Sequence, residues 1–283
     1  MIQELGRMHI DIAGITEARL TDNGCNIIDD YTIFHSGGVQ HMRGVALVIT
    51  TALARSVQEW QPISDRLLLA RLSHRHGSLT LIVAYAPTED SSQAEKDDFY
   101  HQLGSVLQCS HPHGQLIILG DIHAVTGVER TGYEHVIGPY GSGTPNDNSH
   151  RLISFCSTFG LTAAGSWFRR KDIHRWTWIS NDGVTRKEID HMLTRNREIF
   201  RSYRTYRGAE CAANTDHRLV AATLCIQLTQ TCRKSHTPPK FDTDRLCTDD
   251  VKAQYTLELS NQFAILDTLP DGTPDTWVTV RTA

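Results

Sequence analysis

Acids, imidazoles and one phenol recur at the ends of apolar runs in this chain. Glu17 follows the run His9 to Thr16, Tyr85 closes Ser78 to Tyr85, and Asp121 and His123 follow Leu116-Ile117-Ile118-Leu119-Gly120. Asp190 lies in Lys187 to Leu193, and Asp216 and His217 precede Leu219 to Leu228. Four apolar, mostly β-favouring residues such as Leu116 to Leu119 suit a strand buried on both faces. A carboxylate at the carboxyl end of such a strand is held rigidly, where it can take a metal ion or a proton from water. Gly120-Asp121 alone is also ordinary turn chemistry. Five such polar positions, spaced by whole strand or strand–helix units, imply convergence on one rim of a sheet.

The elements that must position them follow from periodicity. Residues 1–8 read as the last turns of a helix; His9 to Thr16, Ile27 to His35 and Gly44 to Thr50 read as strands. Leu67 to Leu72 and Ser78 to Tyr85 read as a strand pair joined at His76-Gly77. Gln93 to Gln108 is a helix with Phe99, Tyr100, Leu103, Val106 and Leu107 on one stripe. A polar, glycine-rich loop from Gly127 to Asn146 follows the central strand, and such loops often carry function. Asn148 or Ser149 can cap a second helix, with Leu152, Ile153, Phe155 and Cys156 inward and Gly160 closing it. Arg175 to Ser180, with Trp176 and Trp178 on one face, then Asn181-Asp182-Gly183 and Lys187 to Leu193, read as a hairpin. Residues 229–240, ending near Pro238-Pro239, read as a linker. Residues 241–283 read as an acidic appendage with a helix over 248–266 bearing Val251, Tyr255, Leu259 and Phe263 on one face.

Composition narrows the classes. With 40% hydrophobic residues in 283, the chain can bury a substantial core. The opening Met-Ile-Gln-Glu-Leu is no signal peptide, and no apolar stretch approaches the roughly 20 residues of a membrane span, so no membrane partner is expected. Seven cysteines without paired spacing fit a reducing compartment and argue against structural zinc. The net charge of −4 is uneven: residues 241–283 hold eight Asp/Glu against three Lys/Arg, whereas residues 166–204 hold ten Lys/Arg against five Asp/Glu. That local basic excess either meets phosphates or is a solvated face.

Several segments in order resemble the endonuclease/exonuclease/phosphatase superfamily, and within it the endonuclease domain of non-LTR retrotransposons. They are Ile15-Thr16-Glu17, Val83-Ala84-Tyr85-Ala86-Pro87, Leu119-Gly120-Asp121-x-His123-Ala124, Asn146-Asp147-Asn148, Thr177-Trp178, Ile189-Asp190-His191 and Thr215-Asp216-His217. The resemblance covers residues 1–228 and implies a DNase I-like α/β (α+β) fold, a four-layer sandwich of two mixed β-sheets flanked by helices. It implies a Mg2+-dependent phosphodiesterase, with Mn2+ as an alternative ion and no other cofactor, that nicks DNA. By resemblance Glu17 is a metal ligand and Asp216 lies close to the metal. Asp121 orients and deprotonates water, His217 hydrogen-bonds the scissile phosphate, Asp190 pairs with His217, and Tyr85 donates to a phosphate oxygen. Related domains are fused to a reverse transcriptase and would act in the nucleus, although no clear basic import signal is visible.

Structural readings stand beside these roles. Glu17 could be a solvated strand end, Tyr85 a core-edge aromatic, and Asp190 and His217 satisfied polar groups. Trp176 and Trp178 suit packing as well as base stacking. Arg169, Arg170, Lys171 and Arg175 either track a phosphate backbone or keep an edge soluble.

Two departures bear on activity. The family carries Asn two residues after the central Asp, where this chain has His123. The family also begins with a strand bearing a metal-holding Asn, and Met1 falls after it. The expectation is therefore the family's fold with weak or absent activity. Alternatives are a non-catalytic nucleic-acid-binding or interaction domain, or a phosphatase of phosphomonoesters or inositol phosphates in the same superfamily. Asp121-x-His123 also resembles the opening of two-metal phosphoesterases, but the Gly-Asp-x-x-Asp and Gly-Asn-His segments that such a site needs are not found.

Overall fold

The computed structural model describes residues 1–39, 41–75, 77–108, 114–206 and 215–229, together with Lys252, Ala253 and Thr256. Helix α1 (Ile2–Arg7) leads into β1 (Ile12–Thr16), β2 (Asn23–Ile28), β3 (Tyr31–Ser36) and β4 (Val45–Thr50). A short helix α2 (Thr51–Ala54) precedes β5 (Val57–Ser64), β6 (Leu67–His74) and β7 (Gly77–Tyr85). Helix α3 (Gln93–Gln108) connects β7 to β8 (Gln115–Asp121), and α4 (Asp147–Phe159) follows after a long loop. The remaining strands are β9 (Thr162–Ala163), β10 (Trp178–Ile179), β11 (Arg186–Lys187), β12 (Asp190–Thr194), β13 (Phe200–Tyr206) and β14 (Leu219–Leu224).

The large sheet runs β5-β6-β7-β8-β12-β9 and the smaller runs β1-β4-β3-β2, with β10-β11 and β13-β14 as separate ribbons. Among the described strands only β7 and β8 pair in parallel, as their helical crossover α3 demands. The large sheet is therefore mixed, while every described pairing in the smaller one is antiparallel. Phe34, Val45, Leu47 and Ile49 of the small sheet meet Leu68, Leu81, Val83 and Ile117 of the large one in a central core. The other face of the large sheet packs Ile82, Leu116 and Ile118 against Phe99, Leu103 and Leu107 of α3 and Leu152, Phe155 and Cys156 of α4. Leu5 of α1 joins Ala13, Ile33 and Val48 on the outer face of the small sheet. This is an α/β sandwich of four layers. Strands β6 to β8 are buried on both faces, which is why they read as unbroken apolar runs.

Some boundaries differ from expectation. Ile27 to His35 is not one strand but the hairpin β2–β3, turned at Asp29-Asp30, where Asp29 takes the left-handed conformation (φ 51°). Lys187 to Leu193 is divided: β11 pairs with β10, and β12 joins the large sheet. Strands β5 and β13 were not expected. The cap of α4 is Asn146, whose Oδ1 accepts from Ser149 N at 3.0 Å, rather than Asn148 or Ser149. The expected linker lies almost wholly outside the described residues. So does most of the acidic appendage: of the helix expected over 248–266 only Lys252, Ala253 and Thr256 are described, all helical.

Candidate active site

The rim of the large sheet is fixed by strand register. Tyr85 and Asp121 end the parallel pair β7–β8 opposite each other. Because β12 is antiparallel, its first residue, Asp190, lies opposite Asp121 at the same edge. Gly120 is required there: its φ is +144°, and a Cβ would lie 2.0 Å from the Ala84 carbonyl oxygen.

His217 reaches the rim from the segment before β14, tied down by a bridge to Trp178 and by Arg218 N–H donating to Thr177 O at 2.7 Å. Its Nδ1 is 3.0 Å from Asp190 Oδ2 and its Nε2 is 3.8 Å from Asp121 Oδ2. These three side chains place ligand-type atoms within 4.8 Å of one another. Thr177 Oγ1 accepts from the backbone N–H groups of Ile189 and Asp190 and so holds Asp190 in place.

Glu17 arrives from the other sheet, at the end of β1, in a left-handed conformation (φ 51°). Its Oε1 accepts the Tyr85 hydroxyl at 2.7 Å and its Oε2 accepts from Arg19 at 3.2 Å. The Tyr85 hydroxyl is thus committed to Glu17. Arg66 secures Tyr85 by donating to the Tyr85 and Ala86 carbonyls and lies over its ring at 5.3 Å.

Burial and the neighbouring charge of Asp190 push the Asp121 carboxyl well above its usual range, against the opposing pull of His217. For His217 burial alone would lower the pKa. The Asp190 hydrogen bond, with the charges of Asp190, Asp121 and Asp216, reverses that and raises it to about 9. Burial and then the His217 charge lower His123 to about 4. Burial and the Glu17 carboxylate keep the Tyr85 phenol protonated well above its ordinary value.

His123 sits in a left-handed conformation (φ 50°), its backbone N–H donating to Asp121 Oδ1 at 2.9 Å. Its Nδ1 is 3.3 Å from the same oxygen, and its buried Nε2 has no hydrogen-bond partner among the described residues. Asp216 lies beside the site rather than in the triad: its Oδ2 accepts from Trp178 Nε1 at 2.7 Å.

The basic segment divides. Arg169 and Lys171 are exposed. Arg170 is not a surface cation: its side chain is 4% exposed and donates to Glu188 at 2.5 Å and to Gly165 O at 2.9 Å, with Tyr203 stacked beneath. A buried guanidinium needs such a partner, and a pair so enclosed cannot meet a DNA backbone. Arg175 donates to the Tyr140 and Gly141 carbonyls and, with Trp176, Arg186, Lys187 and Glu188, lines a cleft of about 310 Å3. The guanidinium groups of Arg186 and Arg218 both lie over the Trp176 ring.

The chemistry of the donor set suits a hard divalent cation. Asp121 and Asp190 offer carboxylate oxygens within 4.8 Å of a His217 ring nitrogen, Glu17 and Asp216 add negative charge that Asp121 and His217 feel, and the charge of His217 offsets only part of this. To join them as a ligand, His217 would first have to give up its ring proton.

No family model matches the chain. It is 31% identical over 229 residues to craniofacial development protein 2 of Tragulus javanicus and of Bos taurus, across 80% of its own length. It spans only 39% and 38% of those two relatives. Among solved structures it superposes on the endonuclease domain of TRAS1, a telomere-specific non-LTR retrotransposon, with TM-score 0.57 and 15% identity, covering 80% of this chain and 91% of that one. The fold is that of the endonuclease/exonuclease/phosphatase superfamily. A 3′ phosphatase, NExo, from Neisseria bound to product DNA hairpin shares this superfamily fold at TM-score 0.59 and 18% identity, covering 79% and 92% of the two chains. So does an AP endonuclease from Archaeoglobus fulgidus, at TM-score 0.59 and 14% identity, covering 80% and 93%.

Sequence reasoning missed Asn148, Thr177 and Arg66 as individual site residues. The polar triplet Asn146-Asp147-Asn148 was the available signal, but it reads first as helix-capping chemistry.

Proposed function

We propose that residues 1–229 form a divalent-metal-dependent phosphodiesterase that nicks DNA as the endonuclease part of a retroelement protein. The observation that carries this reading is His217 held 3.0 Å from Asp190 and 3.8 Å from Asp121, carboxylates that raise its pKa to about 9, on the rim where Tyr85 and Glu17 also meet. Such a cation suits the negative charge of a phosphate. Asp121, with its raised pKa, is a stronger base than a free carboxylate and takes the proton from the attacking water. Asp190 fixes the orientation of His217 and keeps it charged. Glu17, with Asp216 nearby, would hold Mg2+ or Mn2+, which supplies charge neutralisation at the phosphate when bound. Tyr85 positions Glu17 through its hydroxyl.

DNA as substrate is supported by the printed descriptions of the neighbours, a retrotransposon endonuclease and a phosphatase bound to a DNA hairpin. The exposed Arg169 and Lys171 and the cleft bearing Arg175, Arg186 and Lys187 offer phosphate-binding charge. In this reading the domain accompanies a reverse transcriptase and works in the nucleus. Among the described residues no helix is long and apolar enough to cross a membrane.

A weakened activity is favoured by one feature. His123 presents a bulky neutral imidazole to Asp121, with a ring nitrogen that has no hydrogen-bond partner among the described residues. The test is nicking of supercoiled plasmid by the purified chain with Mg2+ and then Mn2+. The expected result is slow nicking that chelation and Asp121→Ala both abolish. DNA binding without cleavage in either metal would place the domain among non-catalytic interaction modules.

A further inference from the structure

We propose that Asn148 is a positioning residue that clamps together the two loops carrying Tyr85 and Asp121. The inference rests on the nuclease reading only for its kinetic consequence. Asn148 lies in the first turn of α4 and is 2% exposed. Its side-chain Nδ2 donates to Pro87 O at 3.0 Å and to His123 O at 3.3 Å. The geometry is symmetric in sequence: each accepting carbonyl lies two residues beyond one of the registered pair Tyr85 and Asp121. That pair is where β7 and β8 end and their loops diverge, after a single further bond from Ala86 N–H to Asp121 O. One amide group carries two hydrogens, and here each has its own loop.

The clamp is itself anchored. The backbone N–H groups of Asp147 and Asn148 donate to the two carboxylate oxygens of Glu89 at 3.2 and 3.1 Å. The buried Lys96 donates to Glu89 O at 2.6 Å and to Asp147 Oδ2 at 3.2 Å. The start of α4 is therefore fastened to the loop after Tyr85 and reaches across to the loop after Asp121. His123 O belongs to a residue in the left-handed region that side-chain-bearing residues adopt only at a cost, and capture of that carbonyl helps to hold it there.

Asn148→Ala and the isosteric Asn148→Asp test this, with Asn146→Ala as control. The control loses the cap of the same helix without touching either carbonyl. Both Asn148 variants should lower kcat for plasmid nicking about 10- to 100-fold with KM nearly unchanged, as displacement of a reacting group does. Asn146→Ala should lower the melting temperature comparably but keep kcat. A reading independent of activity comes from the unaltered protein, where both Asn148 side-chain amide protons should exchange slowly with solvent. In Asn148→Ala, exchange should accelerate at the His123 and Glu89 amides but not in β2–β3. Solvent-rate exchange of the Asn148 amide in the unaltered protein overturns the proposal whether or not the variants fold. So does a kcat within twofold of the parent in both variants. If the parent nicks no DNA while the exchange pattern appears, the nuclease reading fails and the clamp stands.

Discussion

Two imidazoles flank the Asp121 carboxylate, His217 with Nε2 3.8 Å from one oxygen and His123 with Nδ1 3.3 Å from the other. Burial lowers the pKa of both, yet His217 rises to about 9 while His123 falls to about 4. The difference is Asp190, hydrogen-bonded to His217 and to no atom of His123 among the described residues. The His217 charge then pushes His123 further down. The Asp190 hydrogen bond, together with the charges of Asp190, Asp121 and Asp216, thus outweighs desolvation and gives a single acid two neighbours of different charge state. The cationic one suits an anionic substrate; the neutral one lies against the other oxygen of the same carboxylate.

Asp190→Asn breaks the comparison most severely. It keeps the shape but removes the charge, so His217 should titrate near or below 6.5. Nicking should fall about 10³- to 10⁴-fold, as when the carboxylate behind a catalytic imidazole is neutralised. Single-turnover kinetics with a pH titration of the variant check both.

Acidity exposes the same asymmetry. The folded pKa of His217 lies above its unfolded value, so its contribution to stability is complete below about 6.5 and lost as pH rises through about 9. The gap corresponds to roughly 3 kcal/mol. For His123 the sign is opposite: its lowered pKa gives stability that is present above about 6.5 and lost as pH falls through about 4. Denaturant unfolding of metal-free protein across pH, against His217→Gln and His123→Gln, separates the two limbs. Nicking should decline above about pH 9 as His217 loses its proton.

His123→Asn sharpens the contrast by leaving one titratable ring. An amide can donate to Asp121 without titrating, and nicking should rise about 3- to 10-fold, the worth of one neutral hydrogen bond. An unchanged rate would mean that His123 does the amide's work. The smallest effect concerns the basic segment. Replacing Arg169 and Lys171 by Gln should reduce the slope of log affinity against log salt by about two. Arg170→Gln should instead lower the melting temperature, because its charge is spent on Glu188.

Legibility followed burial. The fully buried β8 and the striped α3 show in the sequence because their periods are unmixed. The β2–β3 hairpin does not, because Asp29-Asp30 is a small interruption between Ile27-Ile28 and Ile33. Strand β5 alternates but carries Pro62, which a sequence reading discounts in a strand. The convergence of Glu17, Tyr85, Asp121, Asp190 and His217 could be inferred from their place in the chain. Which partner each side chain takes could not. The Tyr85 hydroxyl goes to Glu17, the Asp216 carboxylate to Trp178, and Arg170 to Glu188, pairings made by tertiary packing across 68, 38 and 18 residues.

Asp190 divides two half-buried imidazoles into a cation and a neutral ring around one carboxylate. Nitrogen-15 NMR titration of the histidine side chains, on metal-free protein, reads this directly. His217 should remain doubly protonated up to about pH 9, and His123 should stay neutral down to about pH 4. Both rings titrating together near 6.5 would contradict it.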